Sequence, residues 1–414
     1  MPDLLPFPGL RYRLDADLGV VTAPPYDVID EEGRARLEAA HPQNAVRLIL
    51  PRDAEPGDRY RRARDTFEEW RAAGVLAADE PHLYVYRMTF TDEDGATRRM
   101  TGVVGALELA PLGEDVLPHE RTLAKAKSDR LELLRAVRAN LDPVWGLSLS
   151  PGLSELFEPV IAARSPSATC VDGDGVEHCL FPVDDPGTVD RIRAAVASTP
   201  LVIADGHHRY ETALAYQEER RAAGADDPGA DRIMMLVVEL TDDQLEVRPI
   251  HRLLRGVTYE FRGKLNFVAT INPMGANTPE GVRYLVEEMD RTGCLGLVDG
   301  PGLALLEPRR DSLQAGFDRI PAQVHDVDAA RLDLMLGRLS VSVQLPREID
   351  YRNDAVTVAA MVAKGQAEMA ILLRPVSVAQ IEAVAEAGER MPQKTTFFQP
   401  KPLTGLVFRS LDLG

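Results

Sequence analysis

One stretch constrains this chain more than any other. Leu201-Val202-Ile203-Ala204 is an apolar run suited to a buried strand; it stops at Asp205-Gly206, and a helical pattern starts at once with His207, His208 and Arg209 in its first turn. A chain organised around that turn feeds a sheet strand directly into a helix, which reads as α/β. A helix N-terminus offers backbone N–H groups without partners and the positive end of the helix dipole, and together these suit phosphate. Arg209 adds a two-pronged anion donor, while Asp205, His207 and His208 add groups that move protons or hold a metal. A helix cap flanked by surface histidines is the plainer reading of the same residues. Adjacent helix positions lie about 100° apart, so the two histidines face different sides. The apolar stripe through Tyr210, Ala213 and Leu214 marks His207 as the packed one and leaves His208 for a ligand.

At 414 residues the chain exceeds one typical domain, so two or three sub-structures are expected. A hydrophobic share of 45% with 27% charged residues supports a sizeable core. The formal net charge of −18 argues against duplex nucleic acid or an anionic membrane surface as partner, yet it leaves room for a local basic pocket around a small phosphorylated ligand. The three cysteines, Cys170, Cys179 and Cys294, form no Cys-x-x-Cys pair, which points to a reducing compartment without a disulfide framework or structural zinc. The first residues lack the basic and long apolar parts of a signal peptide, and no apolar run approaches the ~20 residues that span a bilayer. A cytoplasmic protein is expected. Its oligomeric state is not legible.

Three segments are expected. Residues 1–110 read as an N-terminal α/β segment with a helix from Glu31 to Ala40 capped by Asp30, a short strand from Ala45 to Leu50, a helix from Tyr60 to Ala73, and a β-hairpin made of His82–Phe90 and Met100–Leu109. Residues 111–255 form the core segment, with a long helix from Pro118 to Asn140, a loop-like region from Ser165 to Pro186, the Asp205 turn and an apolar strand from Arg232 to Leu240. Residues 256–414 read as a further α+β segment. Its tail, Lys394 to Lys401, carries two lysines, two threonines and two phenylalanines, so it is expected to pack back on the core.

Three more constellations bear on chemistry. In Pro118 to Arg130, a helix would put Arg121, Lys125 and Asp129 on one face, where the cations of that face and Lys127 suit a polyphosphate and Glu120 suits a base; a solvated face with a Lys125–Asp129 pair fits equally. Ala23-Pro24-Pro25-Tyr26-Asp27-Val28 is a rigid loop that presents Tyr26 and Asp27, or simply a loop anchor. In the tail, Thr395 and Thr396 beside Lys394 suit phosphate oxygens, or a closing structural segment. No Walker loop, Gly-x-Gly-x-x-Gly, His-Glu-x-x-His or Gly-x-Ser-x-Gly is present.

Ala-Pro-Pro-Tyr-Asp-Val at 23–28, His-Glu-Arg-Thr at 119–122, Asp-Gly-His-His-Arg-Tyr at 205–210, Pro-Ile-His-Arg at 249–252 and the Lys394–Lys401 tail occur in order, and over nearly its whole length the chain resembles the domain-of-unknown-function 1015 family of bacteria and archaea. The resemblance implies an ATP-dependent free-serine kinase, distantly related to the ParB/sulfiredoxin superfamily, in which a strand–turn–helix of this character holds nucleotide phosphates. It implies a ParB/sulfiredoxin-like nucleotide-binding core with N- and C-terminal α+β segments, ATP or ADP and Mg²⁺ as cofactors, and free serine or a similar amino acid as acceptor. Phosphate binding falls to Gly206, His207, Arg209, Arg121, Lys125 and Lys127; catalysis to Asp205, Glu120 and His208, with the base open between Asp205 and Glu120; acceptor binding to Tyr26, Asp27, Lys394, Thr395 and Thr396. The segments 26–27, 119–125 and 394–401 are expected to converge on the Asp205 turn. Two rivals remain: a metal-dependent hydrolase using His207, His208 and His251, and a nucleotide-binding protein without turnover in the manner of ParB.

Overall fold

The computed structural model describes residues 1–92, 95–120 and 127–413, without the side chains of Lys127 and Ser128. The chain divides into two units: Met1–Pro118, Thr122–Leu245 and Pro400–Gly414 in the larger, His119–Arg121 and Glu246–Gln399 in the smaller. The expected divisions at 110/111 and 255/256 draw their lines inside these units, because strands distant in sequence share a sheet. Phe408–Ser410 pairs with Phe7–Tyr12 near the start of the chain, and Arg232–Glu239 pairs with Thr97–Glu108.

The fold is mixed α/β, with fourteen α-helices among the described residues. The larger unit carries a twelve-stranded mixed sheet whose path begins Val116–Pro118, Leu201–Asp205, Val144–Ser148, Arg232–Glu239, Thr97–Glu108, Leu76–Thr91. Its core packs Val144, Leu201, Ile203, Tyr210, Met235 and Val237 into one buried cluster. The smaller unit holds a six-stranded sheet, Ala269–Ala276 at one edge and Glu348–Arg352 at the other, beside a two-stranded pair of Glu246–Arg248 with Phe397–Gln399. No helix among the described residues is long and apolar enough to cross a membrane.

Local signals decide many elements. Asp30 accepts from the Gly33 N–H at 2.7 Å and starts the helix Glu31–Ala40. The expected hairpin forms, with Leu76–Thr91 and Thr97–Glu108 paired antiparallel. Three expectations fail. Ala45–Leu50 is not a strand: Val46–Ile49 is a single helical turn, started by Asn44, whose Oδ1 accepts from the Val46 N–H at 2.9 Å. With Val46, Leu48 and Ile49 all buried, the run shows no period by which strand and helix could be told apart. The loop-like region 165–186 contains two paired strands, Ala168–Val171 and Glu177–Val183, turned by Asp172, whose Oδ1 accepts from the N–H groups of Asp174 and Val176. The long helix to Asn140 is shorter. Lys127–Val137 is helical, Arg138 adopts a left-handed φ of 51°, and Ala139–Asn140 is already a strand. Arg138 is fastened there by Asp227 at 3.0 Å and Asp412 at 2.9 Å, long-range ion pairs that a local pattern does not announce.

Candidate functional site

The strand Leu201–Asp205 lies inside the larger sheet, parallel to Val116–Pro118 and antiparallel to Val144–Ser148. Its register shifts between Ile203 and Asp205, where the ladder with Trp145 loosens and the chain leaves the sheet. Gly206 then takes a left-handed φ of 86° at the start of the helix His207–Ala222. A side chain there would put Cβ 2.8 Å from Arg209 Nε, so the turn requires glycine for both conformation and space. No side chain caps this helix. Tyr210 anchors the first turn: it is fully buried and its hydroxyl donates to the Ala110 carbonyl at 2.8 Å. The strand–turn–helix expected at Asp205 is thus present, and its apolar stripe does face the core.

Charged groups of the larger unit crowd around the turn. Asp205 pairs through one oxygen with Lys401 Nζ at 2.6 Å and through the other with Arg209 Nη2 at 2.6 Å. Arg209 Nη1 reaches Asp142 at 2.8 Å and also donates to the Pro143 carbonyl. Burial alone would push the Asp205 carboxyl up; Lys401, Arg209 and nearby His207 overcome it and hold the carboxyl down at about 2. Burial likewise works against the charge on Arg209, and Asp142, Asp205 and Asp27 keep it protonated. Asp27 behaves in the opposite way. Although its surface reaches solvent, the protein around it and the Asp205 carboxylate push its carboxyl up, against the pull of Arg209 and Lys401. Burial also raises the Tyr26 hydroxyl to about 12, and Arg130 stacks over the Tyr26 ring at 4.3 Å. His207 and His208 are both half-buried.

The smaller unit gathers a second set. The Glu120 carboxylate accepts from the backbone N–H groups of Lys394 at 3.0 Å, Thr395 at 3.0 Å and Thr396 at 2.8 Å, and from the Thr396 hydroxyl at 2.9 Å. Buried His119 reaches the same hydroxyl at 2.6 Å. Lys394 adopts a left-handed φ of 56° to present these donors, and Arg252 Nη2 donates to its carbonyl at 2.9 Å. His251 is buried; its Nδ1 accepts from the Leu373 N–H at 3.1 Å, and burial pulls its imidazole down to about 4.

The candidates from sequence therefore fall into two groups. Tyr26, Asp27, Asp205, Gly206, His207, His208 and Arg209 belong to the larger unit together with Lys401, and Glu120, Lys394, Thr395 and Thr396 belong to the smaller. Arg121, Lys125 and the Lys127 side chain lie outside the described residues. The role of Asp142 as the anchor of Arg209 is new. Its one local trace is its place just ahead of the strand Val144–Ser148, neighbour to the strand that carries Asp205. Among the described residues, no group of three or more His, Cys, Asp and Glu side chains is placed to hold a metal.

A family model described as a protein of unknown function, DUF1015, matches residues 4–330, and the chain belongs to that family. No protein with a curated description matches it. Among solved structures, a conserved hypothetical protein from Pyrococcus furiosus is 13% identical, with 76% of this chain and 97% of that one covered at a TM-score of 0.39. A free serine kinase in complex with AMP is 15% identical, with 76% and 93% covered at 0.40. SbnI with a C-terminal truncation, from Staphylococcus aureus, is 13% identical, with 73% and 86% covered at 0.39.

Proposed function

We propose that this chain is a small-molecule kinase that binds a nucleotide at the Asp205–Arg209 turn and transfers the terminal phosphoryl group of ATP to free L-serine, giving O-phospho-L-serine. The observation that carries the reading is Arg209 held between Asp142 and Asp205 at the uncapped start of a sixteen-residue helix. Backbone N–H groups at a helix start and a fixed guanidinium suit phosphate oxygens. Lys401, anchored on the far oxygen of Asp205, supplies a second cation, and His207 and His208 add donors in the first turn. The serine acceptor and the ParB/sulfiredoxin-like character of the core come from the family resemblance of the motifs.

Phosphoryl transfer needs little covalent chemistry from a protein beyond positioning, charge neutralisation and a proton acceptor. An acceptor hydroxyl would form the new P–O bond as the bond to the nucleotide's bridging oxygen breaks, and its proton goes to a carboxylate. Asp205, held at about 2 by two cations, is a weak base; its work is to fix Lys401 and Arg209. Glu120 already accepts four hydrogen bonds. Asp27 makes no ion pair among the described residues, and the surrounding protein and Asp205 push its carboxyl up, whereas Asp205 itself is held down, so we assign Asp27 the proton. Tyr26 beside it would face the acceptor. A magnesium ion would be carried mainly by the nucleotide's phosphates, a common arrangement for Mg²⁺, and would neutralise charge there.

The hydrolase reading loses support from His251, which is buried, neutral and committed to a backbone N–H of the smaller unit. The test is phosphoserine formation from L-serine, ATP and Mg²⁺, measured by mass spectrometry beside nucleotide binding by calorimetry. Asp27→Asn should lower turnover on the order of 10²–10⁴-fold with nucleotide affinity kept. Nucleotide binding without phosphoserine would leave a binding protein; no nucleotide binding at millimolar concentration would end the kinase reading.

A further inference from the structure

We infer that Tyr86 and His178 are positioning residues: a buried chain of hydrogen bonds through them anchors the Pro400-Lys401-Pro402 segment and so sets Lys401 against Asp205. The inference deepens the phosphate-site reading and rests on it for the effect on nucleotide affinity, though not for the placement of Lys401.

Lys401 pairs with Asp205 at 2.6 Å from a stretch of chain that belongs to no helix or strand. A lysine side chain is long and flexible, so its ammonium arrives in one place only if the backbone beneath it is fixed. Pro400 and Pro402 fix their own φ, and Pro402 also biases Lys401 toward an extended backbone. A segment this stiff goes where its end is tied, and the tie is at Leu403.

That tie uses groups the phosphate site does not. The Leu403 N–H donates to the Tyr86 hydroxyl at 3.1 Å. The same hydroxyl lies 2.7 Å from His178 Nδ1, and His178 Nε2 lies 3.0 Å from Asp172 Oδ2. A carboxylate only accepts, so Nε2 carries the proton; Nδ1 of the neutral ring accepts from the Tyr86 hydroxyl, whose oxygen accepts from Leu403. Tyr86, His178 and Leu403 are buried, and Asp172 ends the chain half-buried. Buried polar groups linked in this way are all satisfied in one arrangement, which specifies where the Leu403 backbone lies. For packing the paired strands Ala168–Val171 and Glu177–Val183, an apolar residue would serve at 178; what the imidazole adds is an acceptor aimed at Tyr86.

The next residue carries the tie further. Thr404 and Ala23 exchange both backbone hydrogen bonds, at 2.8 and 3.0 Å. The bridge is antiparallel, so the chain before Thr404 and the chain after Ala23 leave it in the same direction. One carries Lys401; the other, stiffened by Pro24 and Pro25, carries Tyr26 and Asp27. Both Lys401 and Asp205 act on the Asp27 carboxyl, which places the ends of the two segments together.

The chain has six lysines, at positions 125, 127, 264, 364, 394 and 401, so acetylation of the folded full-length protein by an N-hydroxysuccinimide ester can be followed at each by mass spectrometry. Shielded Lys401 should react slowly beside exposed Lys364 in wild type. Tyr86→Phe keeps the ring and removes the hydroxyl; it should raise the Lys401 rate relative to Lys364 roughly fivefold, the weight of one neutral hydrogen bond. By calorimetry the same variant should bind ATP roughly fivefold more weakly, yet change affinity by less than about twofold when Lys401→Met is already present, because no ammonium is left to misplace. An unchanged Lys401 rate overturns the inference, as does an equal loss of affinity with and without Lys401. If wild type binds no ATP while the Lys401 rate still rises in Tyr86→Phe, the positioning stands and the nucleotide reading falls. Should Tyr86→Phe fail to fold, Asp172→Asn, at the half-buried end of the chain, takes its place: a faster Lys401 supports the inference and an unchanged one refutes it.

Discussion

Asp205→Asn tests the electrostatic core of the candidate site. The side chain keeps its size but loses the charge that pairs with Lys401 and Arg209, each at 2.6 Å. All three partners are largely shielded, with side-chain exposures of 14% for Asp205, 12% for Lys401 and 10% for Arg209, so solvent screens the pairs little. The Asp205 carboxyl is held at about 2 against an ordinary 3.8. At 1.36 kcal/mol per unit, that depression corresponds to about 2 kcal/mol of stability near neutral pH. The variant also takes from shielded Lys401 the carboxylate it pairs with at 2.6 Å, which brings the expected loss toward about 3 kcal/mol. A depressed carboxyl contributes stability above its unfolded pKa and loses it as pH falls through the folded value. The gap between wild type and Asp205→Asn should therefore be full at pH 7, begin to close below pH ~4 and vanish near pH ~2. Urea unfolding across that range measures it. A gap under about 0.5 kcal/mol at pH 7, or one that stays constant into acid, would refute the reasoning.

Other expectations follow from single contacts. Gly206→Ala forces a side chain into φ 86° with Cβ 2.8 Å from Arg209 Nε, so it should cost about 1–2 kcal/mol and displace the guanidinium, read as a lower Tm together with weaker ATP binding. Gly229→Ala is a harsher change, because its Cβ would meet the Leu411 carbonyl oxygen at 1.9 Å and neither backbone can give way; calorimetry should show a loss above about 3 kcal/mol or no folded protein. Burial of His251 lowers its imidazole from 6.5 to about 4, so the unfolded chain takes up a proton first and stability should fall as pH drops from about 6.5 to 4; in His251→Gln that part of the pH dependence should be absent from unfolding curves.

The strand and helix around Asp205 were legible because an unbroken apolar run ends at Asp205-Gly206 and a helical period starts directly after it. The hairpin expected from His82–Phe90 and Met100–Leu109 was legible from alternation and an intervening turn, though its first strand starts earlier, at Leu76. Val46–Ile49 was not, since a run buried on every side has no periodic face. The strands Ala168–Val171 and Glu177–Val183 were hidden by polar residues that serve the fold. Buried His178, for example, bonds the Tyr86 hydroxyl at 2.7 Å and Asp172 at 3.0 Å, so a polar letter stands at a core position. The site was half visible. Residues within the motif could be named, and the tail ending at Lys401 was expected near it, but Asp142 joins through an ion pair 67 residues away in sequence, which no local pattern specifies. Glu120 shows the converse: its residue type suits a base, and only the structure reveals three backbone N–H groups converging on it.

The proposed kinase reading puts nucleotide phosphates at the start of the helix His207–Ala222. A crystal structure with a non-hydrolysable ATP analogue and Mg²⁺ measures this directly. Phosphate oxygens should lie within hydrogen-bond distance of the backbone N–H groups at Gly206–Arg209, and of the Arg209 guanidinium or Lys401 Nζ. Phosphates bound elsewhere on the chain, or no bound nucleotide at millimolar analogue, would contradict it.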